Sequence, residues 1–136
     1  AGHIMCMASC EDKGYFGRAV NVQEISAVTA ACMLMKAEDF QAVGGFDEEF
    51  VVAFNDIDLC MKARAAGKKV VFTPYAELYH YESKSRGMED TPEKQFRFEK
   101  ETKRFEEKWG DEMAKGDPYY NPNLSLKEAD CSLRED

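Results

Sequence analysis

The chain has 136 residues, of which 44% are hydrophobic and 12% aromatic, and its formal net charge is −8 at pH 7. The length suits a single domain with a hydrophobic core, and the acidic balance argues against a nucleic-acid partner, because such partners are held by clustered lysine and arginine. The longest strongly apolar stretch, Ala27 to Met35, is about half the ~20 residues that span a bilayer, so we expect no transmembrane segment.

The first quarter of the chain predicts an irregular lead-in followed by a strand. Residues 1–22 show no hydrophobic period and carry turn signals at two glycines. Residues 24–35, EISAVTAACMLM, are β-branched early and apolar throughout, which is typical of a buried strand. We therefore expect the folded core to begin at residue 23.

A short helix and a loop are predicted next. From Lys36 to Val43 apolar residues recur at helical spacing, and a glycine pair, Gly44-Gly45, predicts where the helix ends. Residues 46–54 mix apolar and acidic side chains without a period, which indicates a loop or a short extended piece.

A second helix is predicted from Asp56 to Gly67. Small apolar residues recur along one face, cations gather in the last turn, and a glycine closes the pattern. Val70 to Phe72 then predicts a strand that stops before Pro74, and residues 76–81 predict another short extended segment.

The last part of the chain predicts a long helix and an irregular tail. Thr91 is a hydroxyl N-cap, and Pro92 stands at the first helical position. Phe98, Phe105 and Trp109 share one face, and we expect the helix to end at Gly110. We expect a further turn over residues 111–115 and a tail from Gly116 along the surface. The chain is thus a single domain with a lead-in at 1–22, a core at 23–90, and a helix and tail at 91–136.

Cysteine and histidine usage predicts the compartment. The five cysteines form no C-x-x-C pair, and neither histidine has zinc-type spacing. This pattern disfavours a disulfide scaffold and a structural zinc site. We expect a cytoplasmic protein whose contact with the inner face of the cell membrane, if any, is peripheral.

Two acidic residues at the predicted start of the second helix allow two interpretations. Asn55 or Asp56 at the N-cap would satisfy a backbone N–H, worth roughly 0.5–2 kcal/mol, and acids in the first turn suit the helix dipole. Alternatively, one carboxylate is a reagent. A calcium loop fits poorly, because counting from Asp56 puts Met61 where a glycine belongs and Gly67 where a glutamate belongs.

His80 and the loop after it also allow two interpretations. The histidine follows a strand-like segment, where a structural role is the simpler explanation. The loop supplies two hydroxyls and two cations, Lys84 and Arg86, ahead of a glycine. Such groups can grip phosphate oxygens, although an ordinary surface loop has the same composition.

Taken together, these stretches resemble a known family. The segments are VTAACMLMKAEDFQAVGGFDEEF, FNDIDLCMKARAAGKKVVFTP and ELYHYESKSRG, with GYFGRA before them and DPYYNPNLSL after them. In this order they look like the C-terminal half of a bacterial family 2 glycosyltransferase of GT-A fold, within the rhamnosyltransferase-like subset that builds polysaccharides. The resemblance covers nearly the whole chain and implies an α/β fold, namely a partial GT-A fold with the acceptor-side strands and helices.

The resemblance implies a catalytic role for Asp56. This residue matches the general base that takes a proton from an acceptor hydroxyl while that oxygen attacks the anomeric carbon with inversion. Asn55 stands where the family often has an acid. Asp58 would hold the helix start or contact acceptor hydroxyls. Gly45 and Asp47 would belong to the acceptor-binding site, more by shaping its turn than by direct contact.

The resemblance also implies a metal and a diphosphate site. His80 matches a histidine that completes the coordination of a divalent cation, Mn²⁺ or Mg²⁺, on the donor diphosphate. Lys84 and Arg86 would lie over the same diphosphate. The partners implied are a nucleotide-sugar donor and a glycan or lipid-linked acceptor.

The part of the GT-A fold that binds the nucleotide has no counterpart in this sequence. Its Asp-x-Asp is missing, since the only such pattern, Asp56 to Asp58, already matches the base motif. We therefore expect the chain to be inactive alone and to self-associate through the exposed strand at 27–35. The alternative is a non-catalytic glycan- or protein-binding module derived from a glycosyltransferase.

Overall fold

The computed structural model describes residues 4–5, 8–81 and 91–135. The regular structure of these residues consists of three α-helices and a two-stranded antiparallel sheet, which confirms an α/β chain. Their order is β1 (Gln23–Glu24), α1 (Ala37–Ala42), α2 (Asn55–Ala65), β2 (Val71–Phe72) and α3 (Pro92–Ala114), with 3-10 turns at Tyr15–Gly17 and Ala30–Cys32.

The predicted strand over residues 24–35 is wrong. Only its first residue lies in β1, where Gln23 pairs with Phe72 and Glu24 with Val71. The chain then turns at residues 30–32, and the Leu34 side chain is 99% exposed. A strand needs a hydrogen-bonded neighbour along its length, and β2 supplies only two residues. The apolar side chains of this stretch instead line an open cavity of about 880 Å³.

Helices α1 and α2 agree with the prediction except at the start of α2. Gly44 follows α1 with φ of 80°, and Gly67 follows α2 with φ of 75°, as glycines after a helix commonly do. The expected N-cap at Asn55 or Asp56 is wrong. Phe54 occupies that position in a left-handed conformation without a side-chain cap, and Asp56 and Asp58 lie in the first turn.

Helix α3 begins as the sequence predicts and ends later. The Thr91 hydroxyl accepts the Lys94 N–H at 3.4 Å, and Pro92 is the first helical residue. The expected end at Gly110 and the separate turn after it are wrong, since the helix continues to Ala114. A glycine inside a helix costs only ~1 kcal/mol relative to alanine, and runs of good helix formers, Glu106–Lys108 and Glu112–Ala114, lie on either side of the segment around Gly110.

The core lies between α2, α3 and the loop that joins α1 to α2. Phe54 stacks on Phe98 and on Phe105, with ring centroids 5.7 and 5.0 Å apart, and Phe50 meets Phe105 edge to face at 6.1 Å. Leu59 on α2 is 2% exposed. Aromatic pairs of this kind bury large areas, and they fix the start of α2 against α3.

Residues 73–81 and the tail differ from expectation. The structure has no strand at residues 76–81, all of which are exposed. The tail folds back on itself through a bridge between Leu124 and Leu133, and Leu124 is only 2% exposed. It therefore adds to the core as well as covering the surface.

The tail also holds the N-terminal part of the chain. The Ser26 hydroxyl donates to Asp117 Oδ1 at 2.6 Å, and the Tyr119 hydroxyl donates to Glu24 at 3.1 Å. Arg18 donates to the main-chain oxygen of Tyr119 at 3.0 Å. Contacts between residues far apart in sequence thus hold β1 and its flanking residues against the tail.

Candidate functional site

Asp56 lies half-buried in the first turn of α2. Its Oδ2 accepts the Ala30 N–H at 3.1 Å, and its Oδ1 accepts the Ile57 N–H at 2.8 Å. Each carboxylate oxygen has a second lone pair. The side chain is therefore held from two directions and keeps the capacity to accept a proton.

The backbone just before Asp56 is held in an uncommon conformation. Phe54 has φ of 64° and ψ of −2°, a region that bulky residues rarely adopt and that persists only when the surroundings impose it. Its ring, stacked between Phe98 and Phe105, supplies that constraint. Strain of this kind, two residues from a candidate reagent, is typical of functional sites.

Glu101 on α3 is the buried acid that sequence reasoning missed. Its side chain is 2% exposed, and its two oxygens accept the N–H groups of Val51, Val52 and Ala53 at 3.1, 3.2 and 2.6 Å. A signal was present in the spacing, since Glu101 falls on the same helical face as Phe98 and Phe105. A single acid among many charged residues on an amphipathic helix did not stand out.

Asp58 is fully buried and belongs to an internal charge network. Its Oδ1 accepts from Trp109 Nε1 at 2.8 Å and from Lys108 Nζ at 2.7 Å, and Lys62 Nζ lies 3.1 Å from Oδ2. Of the two roles expected for Asp58, this geometry supports holding the helix start. Acceptor binding by a carboxylate without exposed surface stays a prediction that the geometry does not favour.

Asp47 joins the same network from the loop before α2. Its Oδ2 lies 2.9 Å from Lys108 Nζ and 3.1 Å from Arg104 Nη2. The Lys108 ammonium, followed by the Glu49 N–H and Arg104, lowers the pKa of Asp47 from an ordinary value of 3.8 to about 2. The carboxylate is therefore ionised at any physiological pH.

The structure brings the three predicted acceptor-side residues together. Lys108 bridges Asp47 and Asp58, while Lys62 contacts Asp58 and donates to the main-chain oxygen of Gly45. Gly45 is buried, with φ of 64°. These residues form one cluster beside the Asp56 helix, and their contact with an acceptor stays a prediction.

Of the predicted donor-side residues, the structure describes His80. His80 lies exposed in a segment without regular structure, and Lys84 and Arg86 lie outside the described residues. Within ranges 4–5, 8–81 and 91–135, no three His, Cys, Asp or Glu side chains come together so as to hold a metal ion. The described residues alone therefore do not fit a complete metal site.

No helix in the described part of the chain has the length and apolarity needed to cross a bilayer. The longest, α3, has charged residues along most of its surface.

Comparison with known proteins identifies relatives that match most or part of the chain. The protein y4gI of Sinorhizobium fredii, itself uncharacterized, is 53% identical over 134 residues, which is 98% of this chain. The O-antigen biosynthesis protein RfbC of Myxococcus xanthus is 39% identical over 88% of the chain. The rhamnosyltransferase WbbL of Escherichia coli is 37% identical over 49 residues, which is 36% of the chain and 19% of WbbL.

The matched segment is a small part of the longer relatives. The chain spans 15% of the length of y4gI and 9% of the length of RfbC. No protein-family model matches the chain. No solved structure matches it either.

Proposed function

We propose that this chain, a relative of bacterial rhamnosyltransferase-like glycosyltransferases, contributes the acceptor side of a glycosyl-transfer site. The whole protein would move a sugar from a nucleotide-sugar donor to a hydroxyl of a glycan or lipid-linked acceptor, as part of polysaccharide biosynthesis. The names of RfbC and WbbL support the class of reaction. The observation that carries the proposal is the half-buried carboxylate of Asp56, held at the start of α2 by the Ala30 N–H.

In this proposal Asp56 is the general base of an inverting transfer. The acceptor oxygen attacks the anomeric carbon, its proton passes to Asp56, and the bond to the nucleoside diphosphate breaks on the opposite face of the sugar. A positioned base of this kind typically contributes ~10²–10⁴-fold to the rate. The hydrogen bonds from Ala30 and Ile57 hold the carboxylate in one orientation, which lowers the entropic cost of reaching the reactive geometry.

The finer features of the proposal come from the family resemblance. They are a family 2 enzyme of GT-A fold, a divalent cation bound in part by His80, and a diphosphate held by Lys84 and Arg86. The cation, Mn²⁺ or Mg²⁺, would neutralise the leaving diphosphate. Its remaining ligands would have to come from outside the described residues, and we derive no step through it.

The same proposal expects the 136-residue chain to be inactive alone. Self-association stays a prediction, although the strand on which it was based is not formed. A non-catalytic binding module remains the alternative.

The test is Asp56→Asn in the full-length protein that carries this segment, with Asp111→Asn on the exposed side of α3 as the matched control. We expect Asp56→Asn to lower kcat by at least ~100-fold while the KM for the donor stays nearly the same. Asp111→Asn should leave both unchanged. Turnover that survives Asp56→Asn would refute Asp56 as the base, and glycan binding without any turnover by the wild type would support the binding module.

A further inference from the structure

Of the two buried acids in the described residues, Asp58 and Glu101, only Glu101 on α3 accepts main-chain N–H groups of the segment before the candidate base. Its carboxylate accepts three consecutive main-chain N–H groups, from residues 51 to 53, and Arg97 Nε lies 3.9 Å from the same oxygen that receives the first two. A buried charge is unfavourable unless it is well hydrogen-bonded. The three N–H groups supply those hydrogen bonds, and the carboxylate thereby holds the main chain of residues 51–53 against α3.

The three N–H groups belong to the segment that leads directly into the candidate base. Residues 51–53 have no regular structure of their own. Phe54 follows them with its left-handed backbone, and α2 begins at the next residue. The direction in which Asp56 points is therefore set by how residues 51–54 are held.

Helix α3 holds that segment at two points. Glu101 fixes the main chain of residues 51–53, and the rings of Phe98 and Phe105 fix the Phe54 side chain. A turn that is pinned through both its backbone and its side chain has little freedom to rotate. Without the carboxylate, the aromatic contacts alone would leave the N–H groups of residues 51–53 to solvent.

We propose that Glu101 is a positioning residue for glycosyl transfer, because it fixes the 51–53 segment and thereby the orientation of the Asp56 carboxylate. The inference rests on the proposed role of Asp56 as base. Glu101 itself contacts neither donor nor acceptor. The rate of transfer depends strongly on the position of the base, and a displacement of ~1 Å can lower it by ~10²-fold.

The decisive variant is Glu101→Gln in the full-length protein. The amide keeps one acceptor oxygen and turns the other into a donor, so at least one of the three N–H groups loses its partner. We expect kcat to fall ~10- to 100-fold with little change in the KM for the donor. Glu99→Gln, the same substitution on the exposed side of α3, should change neither value.

A stability-matched variant separates positioning from general destabilisation. Leu124→Ala removes a buried side chain of the tail, outside the 51–54 segment and outside the hydrogen bonds of Glu101. The kcat of both variants is measured at a temperature at which equal fractions of the two are folded. A selective loss of kcat in Glu101→Gln supports the proposal, and equal kcat in the two variants overturns it.

Hydrogen exchange of the wild-type protein gives a readout that does not depend on any variant folding. We expect the amides of residues 51–53 to exchange slowly although they lie outside helices and strands. Exchange as fast as that of exposed loop amides would overturn the proposal. If Asp56→Asn keeps full turnover, the proposed function and this inference both fail, whereas loss in Asp56→Asn without selective loss in Glu101→Gln refutes this inference alone.

Discussion

Replacing Asp47 with asparagine tests the charge network that joins the loop before α2 to α3. The pKa of Asp47 falls from 3.8 to about 2, chiefly through the Lys108 ammonium. Each pKa unit corresponds to ~1.36 kcal/mol, so the ionised carboxylate stabilises the fold by at most about 2.4 kcal/mol. Because its side chain keeps 16% exposure, screening by water reduces this to about 1–2 kcal/mol.

The pH dependence of this contribution has a definite sign. A carboxyl whose pKa is lower in the folded state stabilises the protein at pH values above its unfolded pKa, and the stabilisation disappears as the pH falls through the folded pKa. For Asp47 the contribution is complete at pH 6, falls to about half at pH 3, and is largely gone below pH 2.

The assay is urea unfolding of the wild-type chain and of Asp47→Asn between pH 3 and pH 7. We expect the difference in the free energy of unfolding to be about 1–2 kcal/mol at pH 6 and about half of that at pH 3. Glu48→Gln, at the exposed neighbouring position, should differ from wild type by less than ~0.5 kcal/mol throughout. A difference for Asp47→Asn that does not change with pH would refute the reasoning.

Three further outcomes follow from contacts described above. Trp109→Phe removes the N–H donor to the buried Asp58 carboxylate and should lower the free energy of unfolding by about 1–3 kcal/mol. Unfolding is followed by circular dichroism, because Trp109 is the only tryptophan and its fluorescence is lost in this variant. Gly45→Ala should destabilise the chain more than Gly44→Ala in thermal unfolding, because both have positive φ but only at Gly45 would the new Cβ lie 3.0 Å from an aromatic ring. Burial raises the pKa of the Cys60 thiol, so at pH 8 it should react with a thiol reagent far more slowly in the native chain than in urea, and equal rates would contradict its burial.

Local signals predicted the helices well because each start or stop depends on a few neighbouring residues. Thr91 and Pro92 begin α3 as expected, and the glycines after α1 and α2 end those helices. The failure at Gly110 shows the limit of such signals, because one unfavourable residue does not outweigh a long run of helix formers.

The predicted strand at 24–35 failed for a different reason. An apolar, β-branched run indicates that a segment can be buried, but whether it forms a strand depends on a partner elsewhere in the chain. Here β2 offers two residues, and the rest of the run lines a cavity.

The candidate site was predictable in part. The position of Asp56 at the start of α2 followed from the sequence pattern, and its proposed role followed from the family resemblance. The burial of Asp58 and the three N–H groups on Glu101 were not predictable, because they depend on how α3 packs against α2 and the loop before it, about fifty positions away. Only three-dimensional packing distinguishes a solvated acid on α3 from a buried one.

The contacts between the tail and β1 have a consequence for how the protein is made. The hydrogen bonds that link residues 18–26 to residues 117–119 join positions 91 to 101 apart in sequence. Closing such long loops is slow and comes at a late stage of folding. On the ribosome, the small sheet therefore lacks its contacts with the tail until Tyr119 has been translated. Nascent chains stalled before that residue should be cleaved readily by protease near Glu24, whereas released chains should resist cleavage.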